Sequence, residues 1–593
     1  MNTVVNAQEG RADPAENREK APAFWLSELT FSDGTAVRLE RNSVLVIVGP
    51  NNAGKSATLR AINALAQSHD ARSPVVRSAV FSRDGSKEEF TDWLNRVPTR
   101  NTEGAQTSYS LSGATVHGAH AIPFWEHSDR QGLRDMARWF CLLLSAESRM
   151  QASNSPTTID RRTGQPPTHP VHLLQLDEAL AAKASKLFRK AFGTDLIVDS
   201  TPSSNAHLLC GTAPPRAPGE DRLSSGYLKK LADIPLLMRQ GDGMRSFTGV
   251  TLHLIAGHES MLLIDEPEAF LHPPQARLLG RTLVESKRMD CQLIVATHSS
   301  DLVRGMLDAL NDDVYIVRIR RDGKANVARH LSAKQVRELW GDPLLRYSNI
   351  LDGLFHERTV VCESDADCRF YSAVIDAMSD KKGEDARHPD ILFTHVGGKD
   401  RIPVAVRALM QVAVPVTAIA DFDVLRDEEL MRKLVESFGE GWPGDLRSRW
   451  SVVKTGVESI KPELSVDDVR NGIEKALASL PKGPLPATAD SQIRSVLNQA
   501  SPWRLAKQAG TSYLPAGEVT KTANELLAAL HGLGLWVVPV GEIERFCPSI
   551  GGHGPKWVNS VLEKNLASDP ELRAAREFVA ELANAEPPSA LVN

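Results

Sequence analysis

Short apolar runs, each closed by a polar or glycine-rich turn and followed by a segment of helical period, recur along the chain. Val44–Val48 precedes the helical-looking Ala57–Leu65, and Met261–Ile264 and Gln292–Thr297 are two further strands. After residue 345 the pattern restarts with strands at Thr359–Cys362, Ile391–Val396, Val414–Ala420 and Leu535–Val540, and helices at Cys368–Ala377 and Ile402–Val412. Strands alternating with helices predict an α/β fold with parallel sheets. Residues 23–48 alternate apolar and polar positions around the turn Ser32-Asp-Gly-Thr35, which predicts a hairpin feeding the first sheet. Residues 66–240 hold the polar or proline-rich stretches Arg149–His169 and Thr201–Arg222 between helical segments such as Leu173–Phe192, and read as lobes inserted in the first domain. Val424–Gly534 contains the helical-period stretches Asp427–Phe438, Val466–Leu480 and Val519–Leu530; it is too long for a structureless loop and predicts a helical insert.

A chain of 593 residues exceeds what one hydrophobic core supports, so roughly two to four domains are expected. The pattern divides it into a polar tail at 1–22, read as disordered, a first domain at 23–345 and a second at 346–593. The 42% hydrophobic and 24% charged composition is that of an ordinary globular protein, and no apolar stretch reaches membrane-spanning length. The tail has no apolar core of a secretory signal, so a cytoplasmic location is expected. Six cysteines are scattered without zinc spacing. A net charge of −5 denies a global basic signature, although nucleic-acid binding needs only a local basic surface.

The chemistry begins at Gly49-Pro-Asn-Asn-Ala-Gly-Lys-Ser56, between a strand and a helix. This is a complete phosphate-binding loop: Asn51, Asn52, Ala53 and Gly54 wrap a polyphosphate with their backbone, Lys55 reaches the β/γ-phosphates and Ser56 ligates Mg²⁺. The strand Met261–Ile264 ends in Asp265 and Glu266. Asp265 is suited to hold a water of the Mg²⁺ shell, and Glu266 to position and deprotonate the water that attacks the γ-phosphate. The next strand delivers His298 to the same sheet edge as a γ-phosphate sensor, with Ser299, Ser300 and Asp301 as caps of the following helix.

Acids close the strands of the second half too. Glu363-Ser-Asp-Ala-Asp367 follows one strand and Asp421-Phe-Asp423 another. Parallel order brings both to one edge, where an Asp-x-Asp pair offers hard oxygen ligands for Mg²⁺ or Mn²⁺.

GPNNAGKS, LLIDEPEAFLHP and ATHSSD, in that order, resemble the ABC-type ATPases of the structural-maintenance and break-repair group. The resemblance implies ATP held between two such domains, with a signature loop of one on the γ-phosphate of the other. Leu223-Ser-Ser-Gly226 has the more usual spelling, but Gly241-Asp-Gly-Met-Arg-Ser246 lies one helix before the acidic strand; by position Gly243 and Ser246 are expected in that role, and Gln151 is the candidate for a glutamine loop. The second half resembles the Toprim domain, and the two together resemble the Old (overcoming lysogenisation defect) family of nucleases, which includes the nuclease subunit of Gabija anti-phage systems. The resemblance implies that Glu363, Asp421 and Asp423 hold metal, that Asp367 and Glu544 of Gly541-Glu-Ile-Glu544 complete a second site, and that Lys556, with Lys399, stabilises charge. Ser364 stands where the family carries glycine.

The expected protein is an α/β ABC-type ATPase domain with helical insertions followed by a Toprim α/β domain with a helical insert at 424–534. Its expected function is that of an ATP-regulated, Mg²⁺- or Mn²⁺-dependent DNA endonuclease in anti-phage defence. Expected partners are DNA, a second copy of the chain or a higher homo-oligomer, and a second defence-system protein, without a membrane. The alternative is an ATP-dependent DNA-binding, repair or sensor protein whose Toprim half is a non-catalytic docking module. A primase or topoisomerase finds no zinc-binding cysteines and no candidate nucleophile that stands out among six tyrosines. The insert at 424–534 is expected either to guide DNA or bind a partner beside the cleavage site, or to serve as a packing module.

Overall fold

The computed structural model describes residues 21–68, 71–103, 106–126, 132–159, 166–200, 203–221, 223–309, 313–322, 325–341, 343, 349–381, 388–460, 465–478, 483–499, 501–586 and 588. Residues 1–20 of the expected tail lie outside them. The chain divides into two compact units, residues 1–341 and 342–593. Both are α/β, and no described helix is long and apolar enough to cross a membrane.

In the first unit β1 (Ala23–Phe31) turns into β2 (Ala36–Arg38), with Asp33 Oδ1 accepting from the Thr35 amide in the turn. This is the expected hairpin, but it does not extend the nucleotide-binding sheet. It pairs with β4 (Val76–Asp84) in an antiparallel sheet of order β2-β1-β4, while β3 (Val44–Val48) enters the main sheet. The main sheet continues with β5 (Cys141–Leu144), β6 (Met261–Asp265), β7 (Gln292–Ala296), β8 (Val314–Asp322) and β9 (Ala325–Leu331) in the order β9-β8-β3-β7-β6-β5. All neighbours are parallel except β8 and β9. Every residue of β3 and β7 is buried, as strands covered on both faces require.

The stretch 66–240 is therefore not wholly inserted, because β4 and β5 belong to the sheets themselves. Cys141-Leu-Leu-Leu144 is too short for periodicity to mark it as a strand, and its pairing with β6 is a long-range choice. The helices that frame the sheet edge are α1 (Lys55–Gln67), α2 (Ala146–Ala152), α3 (Asp242–Ala256), α4 (Pro273–Glu285) and α5 (Ser300–Asp308).

The second unit opens with β10 (Arg358–Cys362), α6 (Asp365–Lys381), β11 (Ile391–His395), α7 (Ile402–Gln411) and β12 (Val416–Ala420). Helices α8 (Glu428–Ser437), α9 (Gly444–Ser459), α10 (Val466–Leu477), α11 (Ala487–Gln499), α12 (Pro502–Ala509) and α13 (Glu518–Leu533) follow before β13 (Leu535–Val537). The sheet runs β11-β10-β12-β13 with every pair parallel, so the loops after β10, β12 and β13 share one edge. Behind it, Phe370, Trp557 and Phe578 pack with Phe546 in an aromatic core that includes the helix α14 (Pro555–Val561).

Two glycines fasten the helical insert to this edge. Gly541, at φ 110°, faces the end of α12 so closely that a Cβ would lie 2.0 Å from the Lys507 carbonyl oxygen; one on Gly510, at φ 58°, would lie 2.0 Å from that of Pro539. The Thr511 amide donates to Pro539 O at 2.9 Å across the same seam. Only glycine supplies both the backbone conformation and the approach. Gly541→Ala is expected to lower the unfolding temperature of the second unit by several degrees in scanning calorimetry, since overpacking costs about 1–3 kcal/mol and each kcal/mol moves a unit of this size by about 2–4 °C.

Candidate functional site

The phosphate-binding loop joins β3 to α1 and lies at the C-terminal edge of the first sheet, beside the ends of β6 and β7. Lys55 Nζ donates to the carbonyl oxygens of Gly49 at 2.8 Å and Pro50 at 3.0 Å, and burial lowers its pKa against the pull of Glu266, Glu268 and Asp265. Ser56 Oγ donates to Asp265 Oδ1 at 2.8 Å, uniting the hydroxyl and carboxylate expected at a Mg²⁺. Burial raises the Asp265 pKa. Ala53 O accepts from Asn326 Nδ2 at 2.6 Å, which ties the loop to β9.

Glu266 and His298 meet, with His298 Nδ1 3.2 Å from Glu266 Oε1. Three non-glycine residues here hold positive φ: Asn52 at 61°, Glu266 at 47° and Phe270 at 71°. Backbone strain of this kind collects where a site fixes its side chains. Glu268, which sequence reasoning missed, accepts from Thr297 Oγ1 at 2.7 Å and from the His298 amide at 3.1 Å and so orients the histidine; burial raises its pKa. It lies in the quoted LLIDEPE run, two residues beyond Glu266.

Arg149 was missed as well. It is fully buried and donates to Ser246 Oγ at 3.0 Å, to Glu266 O at 3.0 Å and to Asp265 O, clamping the end of β6. The clamp takes up one residue of the expected signature stretch. Ser246 is 0% exposed with its hydroxyl spent on Arg149, so its side chain is not presented to another copy in this structure. Gly241 and Asp242 are exposed at the N-terminus of α3, and Gly243 beside them is half-buried against the Phe270 backbone. At the other candidate, Ser224 caps the helix Ser225–Leu231 through the Tyr227 amide. Gln151 is exposed and turned to Glu147, whereas the same helix sends Arg149 inward.

In the second unit Glu363, Asp421 and Asp423 offer carboxylate oxygens all within 4.8 Å of one another. Glu363 Oε1 accepts from the Asp421 amide at 3.1 Å, locking the ends of β10 and β12 together. Burial, then the Asp421 charge, pushes the Glu363 pKa up to about 8. Asp367 sits on the first turn of α6, held by the Ser364 amide at 2.8 Å and the Ser364 hydroxyl at 3.0 Å, a bond that a glycine at 364 lacks. Burial and Asp421 raise it to about 6, with Glu544 adding to the effect.

A second group joins Glu542, Glu544 and His553 within the same 4.8 Å. Glu544 Oε1 accepts from the Gly554 amide at 2.8 Å at the start of α14; burial, then Glu544, raises the Glu542 pKa. Glu542 was legible in Gly541-Glu-Ile-Glu544, but nothing in the sequence marked His553.

Lysines answer this charge. Lys399 Nζ lies 2.7 Å from Asp423 Oδ2, and Lys507 Nζ 2.7 Å from Asp421 Oδ2 and 3.8 Å from Asp423 Oδ1. Burial works to lower the Lys507 pKa, but Asp421 and Asp423 carry it above its ordinary value. Lys507 comes from α12 of the insert, where periodicity carried no sign of it. Lys556 is exposed on the first turn of α14 and makes no side-chain hydrogen bond or ion pair among the described residues. Asp423 Oδ1 is buried without a hydrogen bond among the described residues. That orphaned oxygen and the all-carboxylate donor set fit a hard divalent cation.

The class defined is an α/β protein with a phosphate-loop unit and a separate acid-edged parallel-sheet unit. Residues 212–304, spanning α3, β6 and β7, match the family model described as "AAA domain, putative AbiEii toxin, Type IV TA system". The chain is 22% identical over 202 residues to the Old nuclease of Escherichia phage P2, covering 31% of this chain and 33% of the relative, so it spans about a third of the curated relative it matches. The resemblance to the Old family read from the motifs is borne out by that relative. Among solved structures it is similar to an SMC head bound to the C-winged helix domain of ScpA, at 13% identity over 53% of this chain and 99% of that one, TM-score 0.33. An SMC head domain from Thermotoga maritima is 14% identical over 53% and 98%, TM-score 0.26.

Lys55→Ala is expected to weaken ATP binding at least about tenfold, because one buried positive charge over the phosphates is lost. Glu266→Gln is expected to bind ATP normally and hydrolyse it about 100-fold more slowly, the contribution of a positioned base. Nucleotide titration and phosphate release measure the two, and equal ATP affinity in wild type and Lys55→Ala would remove the loop from the site.

Proposed function

We propose that the chain is an ATP-regulated, divalent-metal-dependent DNA endonuclease acting in defence against phage. The observation that carries this reading is the convergence of Glu363, Asp421 and Asp423 on one edge of a parallel sheet, in a chain that also holds a complete phosphate-binding loop. The arrangement supports the Toprim-type reading of the second unit. Mg²⁺ or Mn²⁺ bound there supplies a Lewis acid that activates water and offsets charge on the leaving 3′ oxygen. Glu363, Asp421 and Asp423 hold one ion, and Asp367, Glu544 and Glu542 the second.

Lys399 and Lys507 pair with Asp423 and Asp421 and hold them in place. Lys556, exposed beside the loop that Glu544 caps, is free to meet a phosphate oxygen. In the first unit Lys55 binds the β/γ-phosphates of ATP, Ser56 and Asp265 hold its Mg²⁺, Glu266 takes the proton of the attacking water and His298 aligns it. The exposed N-terminus of α3, at Gly241–Gly243, meets the γ-phosphate held by a second copy, so ATP controls the geometry of a homodimer or larger assembly and through it access of DNA to the acids. The rival, a docking module without catalysis, requires none of these acids.

Asp421→Ala with Asp423→Ala is expected to abolish nicking of supercoiled DNA in Mg²⁺ or Mn²⁺ while ATP hydrolysis continues at near the wild-type rate. Unassisted phosphodiester hydrolysis is too slow to register. Nicking by the double variant at the wild-type rate, with contaminating nucleases excluded, would overturn the site; a wild-type protein that binds DNA and never cuts it would favour the docking module.

A further inference from the structure

Lys507 of the helical insert approaches both aspartates of the acid pair from one point. Its Nζ is 2.7 Å from Asp421 Oδ2 and 3.8 Å from Asp423 Oδ1. Lys399 is paired with the other oxygen of Asp423, Oδ2, at 2.7 Å. This division leaves Asp423 Oδ1 buried without a hydrogen bond among the described residues, with the Lys507 ammonium too far away to donate one. Lys507 therefore gives Asp421 a hydrogen bond and Asp423 only its charge.

The same two carboxylates belong, with Glu363, to the group whose oxygens lie within 4.8 Å of one another. Hard divalent cations sit about 2.0–2.6 Å from their oxygen ligands. An ion on Asp421 and Asp423 and an ammonium on the same pair would thus stand within a few ångströms of each other, and like charges that close oppose one another. The helix α12 is fixed to the loop after β13 by the Gly541 and Gly510 contacts and by the hydrogen bond from the Thr511 amide to Pro539 O. The lysine side chain is not fixed in this way. It has a flexible four-carbon stem, it is 33% exposed, and both Lys507 and Asp423 line a cavity of about 700 Å³.

We infer that Lys507 is a built-in counter-cation that competes with the divalent ion for Asp421 and Asp423, holding the two acids together without metal and turning out into the cavity when metal binds. The inference rests on the metal-dependent reading of these acids, and it makes the helical insert the part of the unit that sets how tightly the ion is held. A lysine that only braced the acids would help the ion to bind. A lysine that stands in for the ion opposes it, so the two roles predict opposite signs when the charge is removed.

The test uses the full-length chain without nucleotide and Mn²⁺ alone as the probe, with the free ion followed by electron paramagnetic resonance. Asp421→Ala with Asp423→Ala serves as the blank for Mn²⁺ bound elsewhere. Lys507→Met, close in length and without charge, is expected to bind Mn²⁺ at the acids at least about tenfold tighter than wild type, because a like charge beside the ion is gone. Lys507→Arg keeps the charge and is expected to bind no tighter than wild type. In EDTA the Met variant is expected to melt below wild type, and Mn²⁺ is expected to raise its melting temperature by more than it raises that of wild type. Wild type supplies a measurement that does not depend on the variant folding: Mn²⁺ is expected to increase labelling of Lys507 by an amine-reactive ester, read by peptide mass spectrometry. Mn²⁺ affinity that is unchanged or weaker in Lys507→Met, or Lys507 labelling that Mn²⁺ leaves unchanged or lowers, overturns the inference. Wild type and Lys507→Met that both bind no more Mn²⁺ than the blank remove the ion and its competitor together. Cleavage is scored separately: a chain that shows the antagonism between Lys507 and Mn²⁺ but never nicks DNA loses the nuclease reading and keeps the lysine, and one that nicks while Lys507→Met leaves Mn²⁺ affinity unchanged does the reverse.

Discussion

Carboxylates gathered at the C-terminal edge of a parallel sheet repel one another, and the second unit is built around that cost. With oxygens of Glu363, Asp421 and Asp423 within 4.8 Å, each ionised pair opposes the other by about 3 kcal/mol at an effective dielectric of about 20. Burial first, and then the charge of Asp421, raises the pKa values of Glu363 and Asp367. Lys399 and Lys507 offset the repulsion, each at 2.7 Å from one aspartate. A set of acids held this close, with one oxygen left without a hydrogen bond, is costly for stability alone and suited to a divalent cation.

That constraint explains the helical insert. Lys507 reaches Asp421 only because α12 is seated on the loop after β13, where Gly541 and Gly510 let two backbones approach closer than any side chain permits. The glycine of Gly541-Glu-Ile-Glu544 thus serves the lysine, while the two glutamates of the same motif face His553. The insert is joined to the site by an ion pair and by backbone contacts.

The first unit manages charge differently. Its anion site is made of backbone and one lysine, and its acids are spread between a hydroxyl, a histidine and a buried arginine. Arg149 binds the carbonyl oxygens of the two acidic residues, leaving their carboxylates to Ser56 and His298. The same guanidinium consumes Ser246, which leaves the exposed backbone at the start of α3 to face outward.

Motifs that act through local backbone were legible in the sequence: the phosphate loop, the Asp265–Glu266 pair, His298, and the acids that end β10 and β12 all lie where strand and turn patterns put them. A strand buried on both faces must be apolar throughout, and a residue just past its end must sit at the sheet edge, so a linear pattern suffices. The tertiary structure alone decided the partners that come from afar. Arg149 on a seven-residue helix, Lys507 within an insert and His553 in a glycine-rich loop carry no periodic signal, because a single long side chain reaches a charge by packing and not by spacing in the chain. The burial of Ser246, the strand Cys141–Leu144 and the separate sheet of the first hairpin were decided in the same way: each depends on which distant segment covers it, and a short run of residues is compatible with several such choices.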